Sequence, residues 1–138
     1  DASEAYGAYS VRERILAYAF TFFEQAVPLR GFLQASAHSP EALRAYREAH
    51  KMHMASLVQE GVAAGEVKER APLGTYYPEM LWGLQHELIH TWLRDKSENY
   101  AQTERAIEVL SKVPLELMGH NVLDSIYESV KFNLKSLK

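Results

Sequence analysis

Apolar residues recur every three or four positions along nearly the whole chain, and this spacing constrains the fold more than any other feature of the sequence. Leu43, Tyr46, His50, Met54 and Leu57, for example, share one stripe of a helix. No segment alternates apolar and polar residues between turn signals, as a half-buried strand would. The pattern therefore predicts an all-α fold, a helical bundle of about six helices that forms one domain over residues 1–138.

Proline, glycine and capping residues mark the helix ends in the first half of the chain. Pro28 should end a first helix that begins near residue 3, and a short helix over residues 29–35 should follow. The tripeptide Ser39-Pro40-Glu41 supplies an N-cap, a proline at the first helical position and an acid in the first turn. The helix that it starts should end at Gly65, because glycine accepts the left-handed conformation that often closes a helix.

Similar signals divide the second half. Pro78 should begin a helix that ends near Asp95. A further helix is expected over about residues 101–119, and Pro114 should kink or split it because proline has no backbone N–H. Asn121 is a candidate cap for a last amphipathic helix.

Charge and composition exclude several functions for this chain by itself. Its formal net charge is −3 and it has no basic cluster, whereas a nucleic-acid surface needs clustered Lys and Arg to neutralise phosphates. It has no cysteine, which excludes thiolate metal sites and thiol nucleophiles. The longest apolar stretch, residues 15–23, is too short to cross a bilayer, and no signal peptide is evident. We expect no membrane partner.

The segment His86-Glu87-Leu88-Ile89-His90 matches the H-E-x-x-H pattern of zinc peptidases. In that pattern two imidazoles one helical turn apart bind zinc, and the glutamate activates the bound water. Glu104 or Glu108 could supply a third ligand, but no strand is predicted that would hold an extended peptide substrate. We therefore expect a protein without enzymatic activity and keep a zinc-dependent hydrolase as the alternative.

A related interpretation joins His86 and His90 to His50 and His53 in a site of four imidazoles that binds metal without catalysis. The simpler interpretation makes each of them a neutral side chain that packs or hydrogen-bonds within the fold or at an interface. We favour the second interpretation and expect no metal or other cofactor.

Several segments resemble the effector-binding and dimerisation domain of TetR-type transcriptional regulators. The segment Leu57–Glu66 carries a G-x-x-x-G-E turn that commonly ends a helix in that family. The apolar helix Met80–Arg94 and the helix end Val113–Gly119 resemble two later helices. The segment from Val11 to Phe32, broken at Pro28, is similar to the long central helix and the short one after it. The resemblance covers roughly residues 11–119.

The resemblance implies a cytoplasmic regulatory domain that dimerises and responds to a small-molecule effector. DNA would be contacted only through an N-terminal helix-turn-helix domain that is missing from this chain. Residues 1–10 then fit a remnant of the linker helix from that domain, and the helix after Asn121 is an addition to the family pattern. A purely structural helical interaction module, whose apolar stripes serve only folding and assembly, is a further alternative.

Candidate site residues follow from the resemblance together with the helical stripes. An apolar or aromatic effector should be bound by inward-facing aromatic and polarisable side chains, with a few polar groups that orient it. The predicted effector-binding residues are Tyr18, Phe22, Phe23, Tyr46, His50, His53, Met54, Leu57 and Gln85. The homodimer should form through the helices near residues 77–95 and 101–118. The predicted interface residues are Trp82, Gly83, His86, Ile89, His90, Leu93, Ile107, Leu110 and Leu117.

Overall fold

A computed structural model of the protein describes residues 8–36, 39–119 and 129–133. These residues are mostly helical and none of them lies in a strand, which confirms the predicted all-α fold. Residues 129–133 are helical, and the rest of the predicted last helix lies outside the described residues. The α-helices before them are α1 (Val11–Ala26), α2 (Arg30–Ser36), α3 (Pro40–Ala63), α4 (Tyr77–Arg94), α5 (Ala101–Leu110) and α6 (Lys112–Met118).

Helix α1 begins later than the apolar spacing predicts. The Ser10 hydroxyl accepts a hydrogen bond from the Glu13 N–H, and the Glu13 carboxylate accepts one from the Ser10 N–H. This reciprocal cap fixes the first helical residue at Val11. The pattern Ser-x-x-Glu is the sequence signal for that boundary, whereas apolar residues alone continue further upstream.

Helix α4 lies at the centre of the bundle. It packs against α3 on one side and α5 on the other, and α1 packs across both of those helices. One apolar core forms around Met54, Leu81 and Met118, and a second forms around Phe23, Leu88, Trp92 and Ile107. No helix among the described residues is both long enough and apolar enough to cross a membrane.

The G-x-x-x-G-E turn after α3 fastens the end of that helix to the start of α1. Gly65 has a φ of 76°, and the Gly61 carbonyl accepts the N–H groups of Glu66 at 2.8 Å and Val67 at 3.0 Å. The Glu66 carboxylate then accepts the Val11 N–H at 2.6 Å. A negative charge at a helix N-terminus is favourable, so the turn stabilises α1 as well as ending α3.

Gly61→Ala is expected to lower the free energy of unfolding by about 1–2 kcal/mol, although alanine is the better helix former. A Cβ at Gly61 would overlap the Val67 Cγ2 methyl and lie 3.3 Å from the Val11 Cγ1 methyl, and both valines are buried. Gly31→Ala in α2 is the control, because a Cβ there meets nothing within 4 Å. Urea unfolding should show a loss for the first variant only; equal effects would contradict this account of the turn.

Pro114 splits the predicted helix over residues 101–119, as expected. Helix α5 ends at Leu110, whose carbonyl could not receive a hydrogen bond from the nitrogen of Pro114. Helix α6 starts after Ser111, whose hydroxyl donates to the Ile107 carbonyl.

Two arginines that sequence reasoning missed hold helix ends in place. Arg70 is 1% exposed, and its guanidinium donates to the Tyr77 hydroxyl and to the last carbonyls of α6. Arg30 donates to the carbonyls of Trp92 at 3.1 Å and Asp95 at 2.8 Å, at the C-terminus of α4. A cation there is favourable because the terminal carbonyls have no partner within the helix.

Candidate functional site

Helices α1, α3 and α4 bring aromatic and polar side chains into one compact group, called the aromatic cluster below. Its members are Tyr18, Phe22, Tyr46, His50, Trp82 and Gln85. The hydroxyl oxygens of Tyr18 and Tyr46 lie 2.8 Å apart, and the Gln85 Nε2 donates to the Tyr46 hydroxyl at 3.0 Å. Polar groups enclosed by rings are costly when unpaired, so this network specifies how the three helices meet.

His50, like Gln85, is a buried polar member of the cluster, with 3% of its surface exposed. Its ring lies 5.4 Å from that of Tyr18 and 5.5 Å from that of Trp82. Burial, with a smaller contribution from the nearby His53, lowers the pKa of His50 to about 4, so the imidazole is neutral at pH 7. Its Nδ1 has no hydrogen-bond partner among the described residues, so it can serve a bound molecule.

The interior of the cluster is uncharged, and the charges lie at its rim. Burial raises the pKa of Tyr18 and of Tyr46, so both phenols stay protonated. Outside, the Glu79 carboxylate lies 2.6 Å from the Lys51 Nζ and 3.3 Å from the Arg47 guanidinium. This exposed ion-paired group joins α3 to the first turn of α4, next to an interior that favours neutral molecules.

Little free space remains inside the cluster. Tyr18, His50, Met54 and Gln85 help to line a cavity of about 20 Å³. Such a volume holds about one water, whereas pockets for small molecules measure roughly 300–1,000 Å³. Of residues 41–49 of α3, only Tyr46 is partly buried, and besides its side chain the Arg47–Glu79 ion pair connects this half of the helix to α4. A ligand of ordinary size would therefore displace side chains here.

The structure brings together most of the predicted effector-binding residues. Five of the nine belong to the cluster: Tyr18, Phe22, Tyr46, His50 and Gln85. Met54 lines the cavity, and His53 is exposed with its ring 5.4 Å from that of Tyr18. Phe23 and Leu57 pack in the two apolar cores and do not line this cavity, so their assignment to the effector site stays a prediction.

Two predicted dimer residues are buried inside one protomer instead. Trp82 is 8% exposed and packs on Tyr46, and Ile107 is 1% exposed in the second core, so the prediction that either one faces a partner is wrong. Ile89 and Leu93 are only partly buried against that core, as Leu84 is, so their assignment to an interface stays a prediction. Trp82 lies three residues before Gln85 and therefore shares its helical face, a signal that places it in the cluster.

The remaining predicted dimer residues have at least part of their surface uncovered. Gly83, His90 and Leu110 are exposed, and His86 and Leu117 are partly buried. A Cβ placed at Gly83 would meet nothing within 4 Å. A second protein could therefore approach α4 closely at this position.

The histidines do not form the metal sites that the sequence suggested. Among residues 8–36, 39–119 and 129–133, no three His, Asp or Glu side chains are placed to hold one metal ion. Neither Glu104 nor Glu108 therefore completes the peptidase pattern. The alternative of a four-imidazole site does not fit either, because the Trp82 ring packs on both His50, at 5.5 Å, and His86, at 5.6 Å.

Aromatic side chains with a few polar groups among them have the composition of a small-molecule pocket, although the free volume here is small. Comparison with known families agrees: the chain belongs to the family described as Tetracyclin repressor-like, C-terminal domain, whose sequence model matches residues 14–132. It is thus a regulatory domain of the kind that binds ligands and dimerises, and the family gives no reason to assign it an enzymatic activity. No curated protein and no solved structure matches the chain significantly.

Proposed function

We propose that this domain binds a small, uncharged aromatic or apolar effector in the aromatic cluster and works as a homodimer. Its parent protein would be a cytoplasmic transcriptional regulator that contacts DNA through a separate domain. The observation that carries the proposal is the partly buried network of Tyr18, Tyr46 and Gln85 beside the Nδ1 of His50, which has no hydrogen-bond partner in the described part of the chain. Membership of the family supports the general role.

The chemistry of the cluster supports an uncharged effector. Tyr18, Tyr46 and His50 are all neutral at pH 7, and no ion pair lies within the cluster. An ionised carboxylate would lose its hydration there without gaining a cation, which costs several kcal/mol. A hydroxyl or carbonyl on an aromatic ring could instead pair with the His50 Nδ1 or with the tyrosine hydroxyls while the ring packs on Trp82 and Phe22.

The small volume of the cavity implies that effector binding is coupled to movement. An aromatic molecule must displace the Tyr46 ring or separate α3 from α1, and the exposed first half of α3 opposes this least. A ligand that binds the opened arrangement better shifts the population toward it. Binding in the cluster would thus change the position of α3 relative to α1 and α4.

Hydroxylated or carbonyl-bearing aromatic molecules are expected to raise the melting temperature of the protein, and their carboxylate counterparts are not. Tyr46→Phe should weaken the binding of an active molecule by about tenfold, because it removes the hydroxyl that joins Tyr18 to Gln85. Tyr76→Phe is the matched control, since Tyr76 is 63% exposed and outside the cluster. Thermal-shift screening followed by calorimetry measures both effects.

Two outcomes of this screen would contradict the proposed site. Stabilisation by carboxylates alone would exclude an uncharged effector. Equal affinities for Tyr46→Phe and Tyr76→Phe would place the bound molecule elsewhere on the protein.

We further propose that a second copy packs on an apolar surface of α4, α5 and α6, called the apolar face below. It comprises Gly83, Leu84, Leu110 and Val113, with exposures of 41% for Leu110 and 76% for Val113. Leu84 and Ser111 line the same cavity, so this turn of α4 lies beside the junction of α5 and α6. In a two-fold dimer the same patch would occur on both sides of the contact.

A further inference from the structure

The exposed side of α4 carries a pair of imidazoles whose geometry points to a metal site independent of the aromatic cluster. The Nε2 atoms of His86 and His90 lie 3.3 Å apart, and the two rings are 4.5 Å apart. In zinc sites two Zn–N bonds of about 2.05 Å at the tetrahedral angle separate their nitrogens by about 3.3 Å. The pair therefore already has the separation that a tetrahedral zinc ion requires.

We propose that His86 and His90 chelate one Zn²⁺ through their Nε2 atoms, with water in the remaining positions. In the metal-free protein one Nε2 donates a hydrogen bond to the other. On zinc binding the proton of the donor ring would move from its Nε2 to its Nδ1, so that both Nε2 lone pairs face the ion, each Nδ1 is protonated and no proton is released. Because both ligands project from one turn of one helix, the second bond forms without a large loss of chain entropy.

Within one protomer the surroundings fix the ring of one ligand and leave the metal face open. His86 packs on the Trp82 ring at 5.6 Å, which limits its rotation, while His90 is exposed. The Arg47 guanidinium adds a positive charge near His86, but Arg47 is paired with Glu79, and Glu87 contributes the opposite sign. The absence of a third protein ligand among the described residues means water completes the coordination, so the site binds zinc without being a closed structural one.

Isothermal titration of the whole chain with Zn²⁺ tests the proposal. We expect one ion per chain, and His86→Asn and His90→Asn should each weaken binding by at least about tenfold because a single imidazole loses the chelate. Glu87→Gln, in the position between them, should stay within about twofold of the unchanged protein. A loss of binding in Glu87→Gln would overturn the two-imidazole site in favour of a carboxylate ligand.

Long-range ¹H–¹⁵N spectra of the imidazoles provide a readout that does not depend on variants folding correctly. On addition of Zn²⁺, the Nε2 signals of His86 and His90 should shift together, while those of His50 and His53 should not. Shifts at other histidines only, or the same affinity in His90→Asn as in the unchanged protein, would overturn the proposal. The effector site can fail or succeed separately, because zinc binding here requires no change at Tyr46 or Gln85.

Discussion

Asp95→Ala is expected to lower the free energy of unfolding by about 2–4 kcal/mol, because a buried carboxylate organises the turn between α4 and α5. Asp95 is 1% exposed. One of its oxygens accepts the Ser97 N–H at 2.8 Å together with the Ser97 hydroxyl, and the other accepts the Thr103 N–H at 2.8 Å and hydroxyl at 2.6 Å. Without the carboxylate these donors would be left unpaired at the start of α5.

The backbone of the same turn is strained, so the turn depends on the contacts that the Asp95 carboxylate makes. Asn99 and Tyr100 have φ values of 52° and 56°, a left-handed conformation that costs about 1 kcal/mol or more for each residue with a side chain. Such a conformation persists only where neighbouring contacts stabilise it. Asp95 and the Arg30 guanidinium, which lies 5.2 Å from the Tyr100 ring, provide those contacts.

The pH dependence of stability gives a second measure of Asp95. Burial opposes its charge, but the hydrogen bonds from Ser97 and Thr103 outweigh burial and lower its pKa from 3.8 to about 2. A lowered folded-state pKa stabilises the protein at pH values above 3.8, and this contribution disappears as the pH falls toward 2. The stability difference between the unchanged protein and Asp95→Asn should therefore be largest at pH 7 and shrink below pH 3.8.

Urea unfolding at pH 7 and at about pH 2.5 measures this difference, and the protein's other carboxylates cancel in the comparison. Glu98→Gln serves as the control, because Glu98 lies in the same turn but is exposed and should show no such dependence. A stability difference that stayed constant with pH would contradict an ionised Asp95 in the folded protein.

Local signals in the sequence identify most helix ends correctly. Ser39 caps α3 through a hydrogen bond from the Ala42 N–H, Gly65 adopts the left-handed conformation, and Pro114 divides α5 from α6. Each of these depends on contacts within a few residues, which spacing reveals. The start of α1 also has a local signal, the cap at Ser10, but the apolar pattern around it favours a longer helix.

Contacts between distant segments account for what the sequence did not reveal. Arg30 bonds to carbonyls more than sixty residues away, and Arg70 reaches Gly119 across 49 positions. No spacing rule connects such pairs. The sequence also could not show that the cavity is small, since the volume depends on how the Tyr46 and Trp82 rings pack.

The sequence did not assign each apolar side of a helix to its neighbour where the helix carries more than one apolar stripe. On α4 the sequence offers apolar positions on more than one side, and Trp82 was assigned to the partner although α3 covers it. Propensity and periodicity do not say which neighbour covers which stripe, because burial within a protomer and burial in a dimer select the same residue types. We therefore place the proposed dimer contact on the apolar face, whose residues remain at least partly exposed in the protomer.

Gly83→Arg and Val113→Asp are each expected to weaken dimerisation by at least about a hundredfold. A two-fold contact would bury each new charge twice without a partner, at a cost of several kcal/mol, and each 1.4 kcal/mol is about tenfold in affinity. Neither change should harm the fold of the protomer. Arginine is a better helix former than glycine, and Val113 lies in the first turn of α6, where a negative charge is favourable.

Met52→Asp provides the matched control, because Met52 is 74% exposed on α3 and Val113 is 76% exposed on the apolar face. Met52→Asp and Val113→Asp therefore place the same charge at equally accessible apolar positions. Sedimentation equilibrium should find monomers for Gly83→Arg and Val113→Asp at concentrations where Met52→Asp and the unchanged protein are dimers. If Met52→Asp alone gave monomers, the second copy would pack on α3, and the apolar face would not be the dimer contact.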